Sequence, residues 1–237
     1  MNEAAPAISF VVPAYNEEQA LPASLAAIHA ALRPLGRTYE IVVADDASTD
    51  RTAVIARAAG ARVVAVEFRQ ISRTRNAGAA AALADILFFV DADTQVNAGV
   101  VRAALGALDA GAVGGGAIPE FDAHAPAWAR FMLWWVVWQM SLLRLAAGCF
   151  VFARRGPFER VGGFDERHFA GEEVMLSWAM KREGRFVILR ERVETSSRKF
   201  VGASAWKTLW MTLRLASRGM RGVRKREGNE FWYDGKR

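Results

Sequence analysis

The sequence has a single cysteine, Cys149, so neither an intrachain disulfide framework nor a cysteine-ligated zinc cluster can form. Its three histidines, His29, His124 and His168, stand at no zinc-motif spacing and are expected to be surface or hydrogen-bonded residues. No GxGxxG follows the first apolar run, which argues against a dinucleotide site. There is no GxxxxGK[ST] and no GxSxG, which excludes a P-loop and a nucleophile elbow. Long apolar runs are also missing. The best membrane candidate is Phe131–Trp138 (FMLWWVVW), and Gln139, Ser141 and Arg144 interrupt it. A span needs about 20 predominantly apolar residues, so this segment reads as an amphipathic helix followed by a strand. The N-terminus has no basic region and no long apolar run before Pro13, so no secretory leader is expected. With the lone cysteine, this fits a reducing, cytoplasmic location, at or near the membrane surface.

What is present is a chain of 237 residues, long enough for one large domain with a sizeable core. Its charge is uneven. Residues 198–237 hold 11 Lys/Arg and 3 Asp/Glu, whereas residues 1–197 hold 20 and 22. The basicity therefore sits in the C-terminal tail, where it suits an anionic membrane or a phosphorylated substrate. No nucleic-acid recognition motif accompanies it, so nucleic acid is not expected as a partner.

Apolar runs and helical spacings alternate through the first half. Ile8–Val12, Glu40–Ala44, Ala61–Val66, Ile86–Val90 and Ala112–Ile118 predict strands. Glu17–Leu32, a segment ending at Ala59, Asn76–Asp85 and Asn97–Ala110 predict helices. Strands joined by such helices imply an α/β fold with a mainly parallel, doubly wound sheet. The second half predicts a tryptophan-rich helix over Trp128–Leu143, a strand over Leu145–Ala153, a Gly162-Gly163-Phe164 turn, a helix over Glu172–Arg182, a strand over Arg185–Leu189 and a long helix over Ala205–Lys225.

In open α/β sheets, ligands bind beyond the carboxyl ends of the strands. Three strands end in PAYNEE, DDASTD and DADTQ, which brings polar groups to one rim. Asp91 and Asp93 suit a hard cation such as Mg²⁺ or Mn²⁺, and Gln95 can add an amide oxygen. Asp45 or Asp46 can accept hydrogen bonds from a base or ribose. Arg73 and Arg75 stand beside the expected helix start at Asn76, a favourable place for phosphate. Glu172 and Glu173 open a helix, and one of them can act as a general base. Each pattern also has a plain structural reading as a helix cap, a solvated turn or a match to a helix dipole.

Taken in order, VVPAYNEE, VADDASTDRT, RTRNAG, FVDADTQ, GGFDE and GEEVMLSWAMKREG resemble the family-2 inverting glycosyltransferases of the GT-A fold over roughly residues 8–190. DADTQ is also similar to the metal motif of polyprenol-phosphate sugar transferases. The resemblance implies a metal-dependent transferase that moves a sugar from a UDP- or GDP-linked donor to a hydroxyl or phosphate acceptor, lipid-linked or not. Pro13, Tyr15, Glu17, Asp45 or Asp46, and Arg75 would surround the nucleotide. Asp91 and Asp93, with Gln95, would hold Mg²⁺ or Mn²⁺. Arg198 and Lys199 would close over the diphosphate. Glu173 would be the base, with Glu172 as the alternative, since the family's Glu-Asp pair is Glu-Glu here. It further implies a catalytic domain over 1–197, with a nucleotide-sugar half (1–120) and an acceptor half (121–197), followed by a basic amphipathic helix and tail (198–237). Two other readings are a non-catalytic nucleotide-binding relative at a membrane surface and a sugar-phosphate nucleotidyltransferase.

In the tail, Lys207, Arg214, Arg218, Arg221 and Lys225 form one helical stripe, and Trp206, Leu209, Trp210, Leu213 and Met220 form a neighbouring one. Together with Trp128, Trp134, Trp135 and Trp138 they suit a peripheral membrane contact. The competing readings are ordinary core and a homodimer interface.

Overall fold

The computed structural model describes residues 5–200 except Phe169 and Lys199. The expected helix over 205–225 and the proposed role of Lys199 lie outside the described residues. In chain order the elements are β1 (Ile8–Ala14), α1 (Leu21–Leu32), a 3₁₀ turn (Arg33–Leu35), β2 (Tyr39–Asp46), α2 (Thr52–Ala58), β3 (Arg62–Val66), α3 (Ile71–Ala81), β4 (Ile86–Val90), β5 (Thr94–Gln95) and α4 (Ala98–Asp109). They continue with β6 (Ala112–Phe121), α5 (Ala127–Leu142), β7 (Phe150–Arg154), α6 (Arg155–Arg160), α7 (Glu172–Glu183) and β8 (Arg185–Thr195).

All eight strands join one sheet in the order β3-β2-β1-β4-β7-β6-β8-β5. β3, β2, β1 and β4 run parallel, as the alternation of strands and helices predicts. β7 lies antiparallel between β4 and β6, and β6 pairs parallel with β8. The two halves of the chain thus share a sheet.

β1 is buried along its whole length, because both sheet faces are covered. On one face Phe10, Val12, Phe88, Phe150 and Phe152 pack against Leu21, Leu25 and Ile28 of α1 and Val101, Leu105 and Leu108 of α4. On the other face Val11, Val42, Leu87 and Phe89 pack against Ala79 of α3, Phe158 of α6 and Met180 of α7. Two glycines permit close approach. A Cβ on Gly78 would lie 2.4 Å from Cγ1 of Val11, so α3 can rest directly on β1. A Cβ on Gly115 would lie 2.2 Å from the Val187 carbonyl oxygen, where β6 is wedged beside β8.

Several boundaries differ from the sequence expectation. α1 begins at Leu21 rather than Glu17, because the preceding backbone is laced to the β2–α2 loop. Asn16 N donates to Ser48 Oγ (2.8 Å), Glu17 N to Thr52 Oγ1 (2.7 Å) and Glu18 N to Asp50 Oδ2 (3.1 Å). α3 begins at Ile71 rather than Asn76, since Asp46 gathers the amides of Phe68, Arg69 and Gln70 just before it. β8 continues to Thr195, where it pairs with β5. β7 starts at Phe150 rather than Leu145. No helix among the described residues is long and apolar enough to cross a membrane.

Candidate active site

The carboxyl ends of β1, β2 and β4 deliver Tyr15-Asn16-Glu17, Asp45-Asp46 and Asp91 to one rim. Because β7 is antiparallel to β4, its start adds Gly148 and Cys149 there, and Cys149 O accepts from Asp91 N at 3.1 Å. The loops of this rim hold Asn16, Ala47 and Arg69 at φ 50°, 57° and 52°. A left-handed backbone at non-glycine residues is strained, and such strain gathers at binding sites.

Asp45 and Asp46 face opposite sides of β2, as strand alternation requires. Asp46 accepts from Phe68 N (2.6 Å), Arg69 N (2.9 Å), Gln70 N (3.2 Å) and Thr74 Oγ1 (2.9 Å). Its carboxylate holds the β3–α3 loop and the start of α3. Asp45 accepts one bond among the described residues, from Ser48 N at 3.3 Å. Near it the Arg69 guanidinium lies 4.1 Å from the centre of the Tyr15 ring, a cation–π contact. Pro13 is buried near the end of β1.

Arg75 sits in the interior of α3, only 1% exposed, and not ahead of a helix N-terminus as the sequence suggested. Its Nη1 donates to Glu172 Oε1 at 2.7 Å, and its Nη2 to Asp91 Oδ1 at 2.6 Å and Gly148 O at 2.9 Å. Burial works against the guanidinium charge, but Asp91, Glu172 and Glu173 outweigh it and hold the proton more tightly than usual. Arg73 is half exposed, stacks on Phe68 at 4.2 Å and faces Glu166 at 3.6 Å.

Glu172 and Glu173 open α7 after Gly171, whose φ is 70°. Glu172 is consumed by Arg75. Glu173 is half-buried, and a Cβ placed on Gly148 would lie 3.2 Å from its carboxyl carbon. Burial first, and then the charge of Glu172, push the Glu173 carboxyl up to about 8 against the pull of Arg75. Burial, with Asp91 and Asp93 close by, also raises the Cys149 thiol far above its usual range.

Asp93 turns to the other side of the rim. It lines a cavity of about 270 Å³ with Gln19, Ser24, Gln95, Asp122, Glu194 and Arg198 among its walls. The Arg198 guanidinium is ion-paired with Glu17 and lies 3.8 Å from Asp93 Oδ2. Gln95 is exposed on β5, with Nε2 3.5 Å from Glu194 Oε1. No group of three or more His, Cys, Asp or Glu among the described residues forms a ready-made metal cage. The donors that line the cavity are hard oxygens, and Asp91 already gives one oxygen to Arg75. That set fits a cation held by one or two carboxylates, with water and substrate oxygens completing its shell.

Residues 9–159 match the family model described as glycosyl transferase family 2. The chain belongs to glycosyl transferase family 2. A relative in Pseudomonas paraeruginosa, named undecaprenyl-phosphate 4-deoxy-4-formamido-L-arabinose transferase, is 42% identical over 100 residues, covering 37% of this chain and 28% of its own. An uncharacterized glycosyltransferase of Mycobacterium bovis is 39% identical over 126 residues, covering 52% of this chain and 55% of its own. The matched region thus spans about half or less of these relatives. The mannosyltransferase PcManGT from Pyrobaculum calidifontis, solved with GDP-Man and Mn²⁺, superposes with a TM-score of 0.66 at 20% identity, over 90% of this chain and 62% of that one. At that identity the likeness shows the shared GT-A fold.

The family-2 chain carries features at its site that the sequence reading missed. Asp122, just past β6, accepts from Ser197 N (3.0 Å) and Ser197 Oγ (2.7 Å) and so ties the 196–198 segment over the cavity. Burial works to raise its carboxyl, but the Ser197 donors prevail and hold it below the usual range. Asp122 stands four residues beyond the apolar run that ends at Ile118, past Pro119 and Glu120, so it lacked the direct strand-end signal that marks Asp91. Arg69 over Tyr15 and the Gly148 carbonyl carried no such signal, because loop geometry alone makes them.

Proposed function

We propose that this glycosyltransferase-family chain is a metal-dependent inverting transferase. It would take a UDP- or GDP-linked sugar and pass the sugar to a hydroxyl or phosphate acceptor, lipid-linked and presented at a membrane surface. One observation carries the reading: the buried Arg75 joins Asp91 and Glu172, and so brings the Asp91-Ala-Asp93 turn and the Glu173 carboxyl onto one rim. The Pseudomonas relative's name includes an undecaprenyl phosphate, and PcManGT was solved with GDP-Man and Mn²⁺, which supports the donor, cation and acceptor classes.

In this reading Tyr15 and Asp45 receive the base and ribose, while Asp46 holds the loop beneath them. Asp93, with Asp91 and Gln95, would hold Mg²⁺ or Mn²⁺. Once bound, the cation supplies positive charge beside the leaving diphosphate. Arg198 adds a second positive charge on the same side. Glu173, whose raised pKa suits proton uptake, takes the proton from the acceptor hydroxyl. The acceptor oxygen bonds to the anomeric carbon as the sugar–diphosphate bond breaks, and the configuration inverts. An ionised phosphate acceptor would need no base. Lys199 would join Arg198 at the diphosphate.

Thermal unfolding with UDP, GDP and their sugars, each with Mn²⁺, Mg²⁺ or EDTA, tests this. At 100 times its Kd a ligand stabilises by about 2.7 kcal/mol. The expected result is a melting shift for one nucleotide that EDTA abolishes, and that Asp93→Asn abolishes while the unliganded melting temperature holds. No shift with any nucleotide would overturn the proposal.

A further inference from the structure

α5 presents a bare aromatic face. Phe131, Trp134, Trp135, Trp138, Leu142 and Leu143 are each between 48% and 73% exposed. Their spacing places them along one side of the helix. The rings form a chain: Phe131–Trp134 at 5.8 Å, Trp134–Trp135 at 6.4 Å and Trp135–Trp138 stacked at 5.5 Å. The opposite side of α5 anchors the helix through buried Ala129 and Val137. These tryptophans are therefore not core residues, which overturns the core reading for them. A contiguous apolar patch of this kind marks an interaction surface.

Charge indicates what covers it. From residue 123 to residue 158 the chain contains no Asp or Glu. Exposed Arg130 lies at one end of the aromatic row and exposed Arg144 at the other. Lys181 of α7 joins Arg144 there, with its Nζ donating to Leu143 O at 2.6 Å. Trp178, 56% exposed, stands one turn before Lys181 on α7. The chain leaves the described residues at Phe200, whose ring lies 6.1 Å from that of Trp128 at the start of α5. Residues 201–237 then carry nine Lys/Arg against three Asp/Glu. A basic tail folded over a basic-rimmed face would set like charges together, and a second copy packed face to face would do the same. An anionic lipid surface complements both, and tryptophan rings with flanking basic side chains suit the headgroup boundary.

We propose that the Phe131–Leu143 face of α5 is the surface through which the protein docks on an anionic lipid bilayer, lying in the interface without crossing it. The assignment deepens the lipid-linked acceptor reading and is tested without turnover. Full-length protein is floated with vesicles of phosphatidylcholine alone and of phosphatidylcholine with 30% phosphatidylglycerol. Wild type should float with the anionic vesicles. Trp134→Ser/Trp135→Ser/Trp138→Ser should float roughly tenfold less, because the interfacial anchors are gone. The variant should keep its nucleotide-induced melting shift and its far-UV spectrum. Arg130→Glu/Arg144→Glu should weaken flotation and leave what remains less sensitive to salt than wild type, because less of the attraction is electrostatic. Three results would each overturn the proposal: no flotation of wild type, equal flotation of the tryptophan variant, or a wild-type dimer that the same variant converts to monomer. Loss of nucleotide binding with flotation intact would instead count against the catalytic reading.

Discussion

Arg75 Nη2 lies 2.6 Å from Asp91 Oδ1, a pairing that fastens the interior of α3 to the turn after β4. The other arm of the same guanidinium holds Glu172, 97 residues further on, at 2.7 Å. Removing the arginine leaves two acids facing each other around a buried gap. Breaking a buried ion pair from one side costs about 3–5 kcal/mol. Arg75→Met should therefore lower the unfolding free energy, extrapolated from a urea titration, by that order. Arg75→Lys should recover only part of the loss, since an ammonium cannot reproduce the planar fork.

Glu173 and Glu172 should separate in kinetics. Glu173→Gln is expected to lower kcat by about 10²–10⁴ with donor affinity retained, if the acceptor is a hydroxyl. In wild type, kcat/KM should rise with pH and level off above about 8, as the raised carboxyl ionises. The stability profile has the opposite slope. The acid form is favoured by the fold, so stability should fall as pH rises from the ordinary 4.5 toward about 8. Glu172→Gln removes a neighbouring negative charge and frees Arg75, so the kinetic limb should move to lower pH while the protein becomes less stable.

Asp45 and Asp46 should also divide, between binding and stability. Asp46→Ala abandons three backbone amides and the Thr74 hydroxyl. Each buried donor left unmade costs about 1–3 kcal/mol, so the variant should unfold early in a thermal scan. Asp45→Ala should leave the melting temperature within about 2 °C and weaken nucleotide binding, as calorimetric titration would show.

Arg198 bridges Glu17 and Asp93 above the cavity. Its substitution by alanine should raise the Kd for a nucleoside diphosphate by about 10–100-fold, since charged hydrogen bonds contribute about 1.5–3 kcal/mol. Titration with the uncharged nucleoside should show no change, because the arginine acts on the diphosphate.

The parallel half of the sheet was legible along the chain because its signals are local. Runs such as Ile8–Val12 and Ile86–Val90 are apolar on both faces, as strands buried on both sides must be. Asp91 follows directly after β4 and Asp45 stands at the carboxyl end of β2, so the rule that ligands bind at carboxyl ends pointed to this rim. The six motifs in order pointed to the family, which the match over residues 9–159 shows. The start of α3 was not legible, because its cap is the Asp46 carboxylate from another strand.

Long-range contacts also set the roles within each acidic pair. Asp45 and Asp46 are adjacent and identical along the chain, and alternation about β2 sends only one of them to the β3–α3 loop. Glu172 and Glu173 differ in the same way, because only Glu172 reaches Arg75. The tryptophans of α5 could equally have been core or surface from their spacing, since helical periodicity identifies a face but not what that face meets. Burial is a property of the packed sheet and its neighbours, and here packing covers Ala129 and Val137 and leaves the aromatic row open.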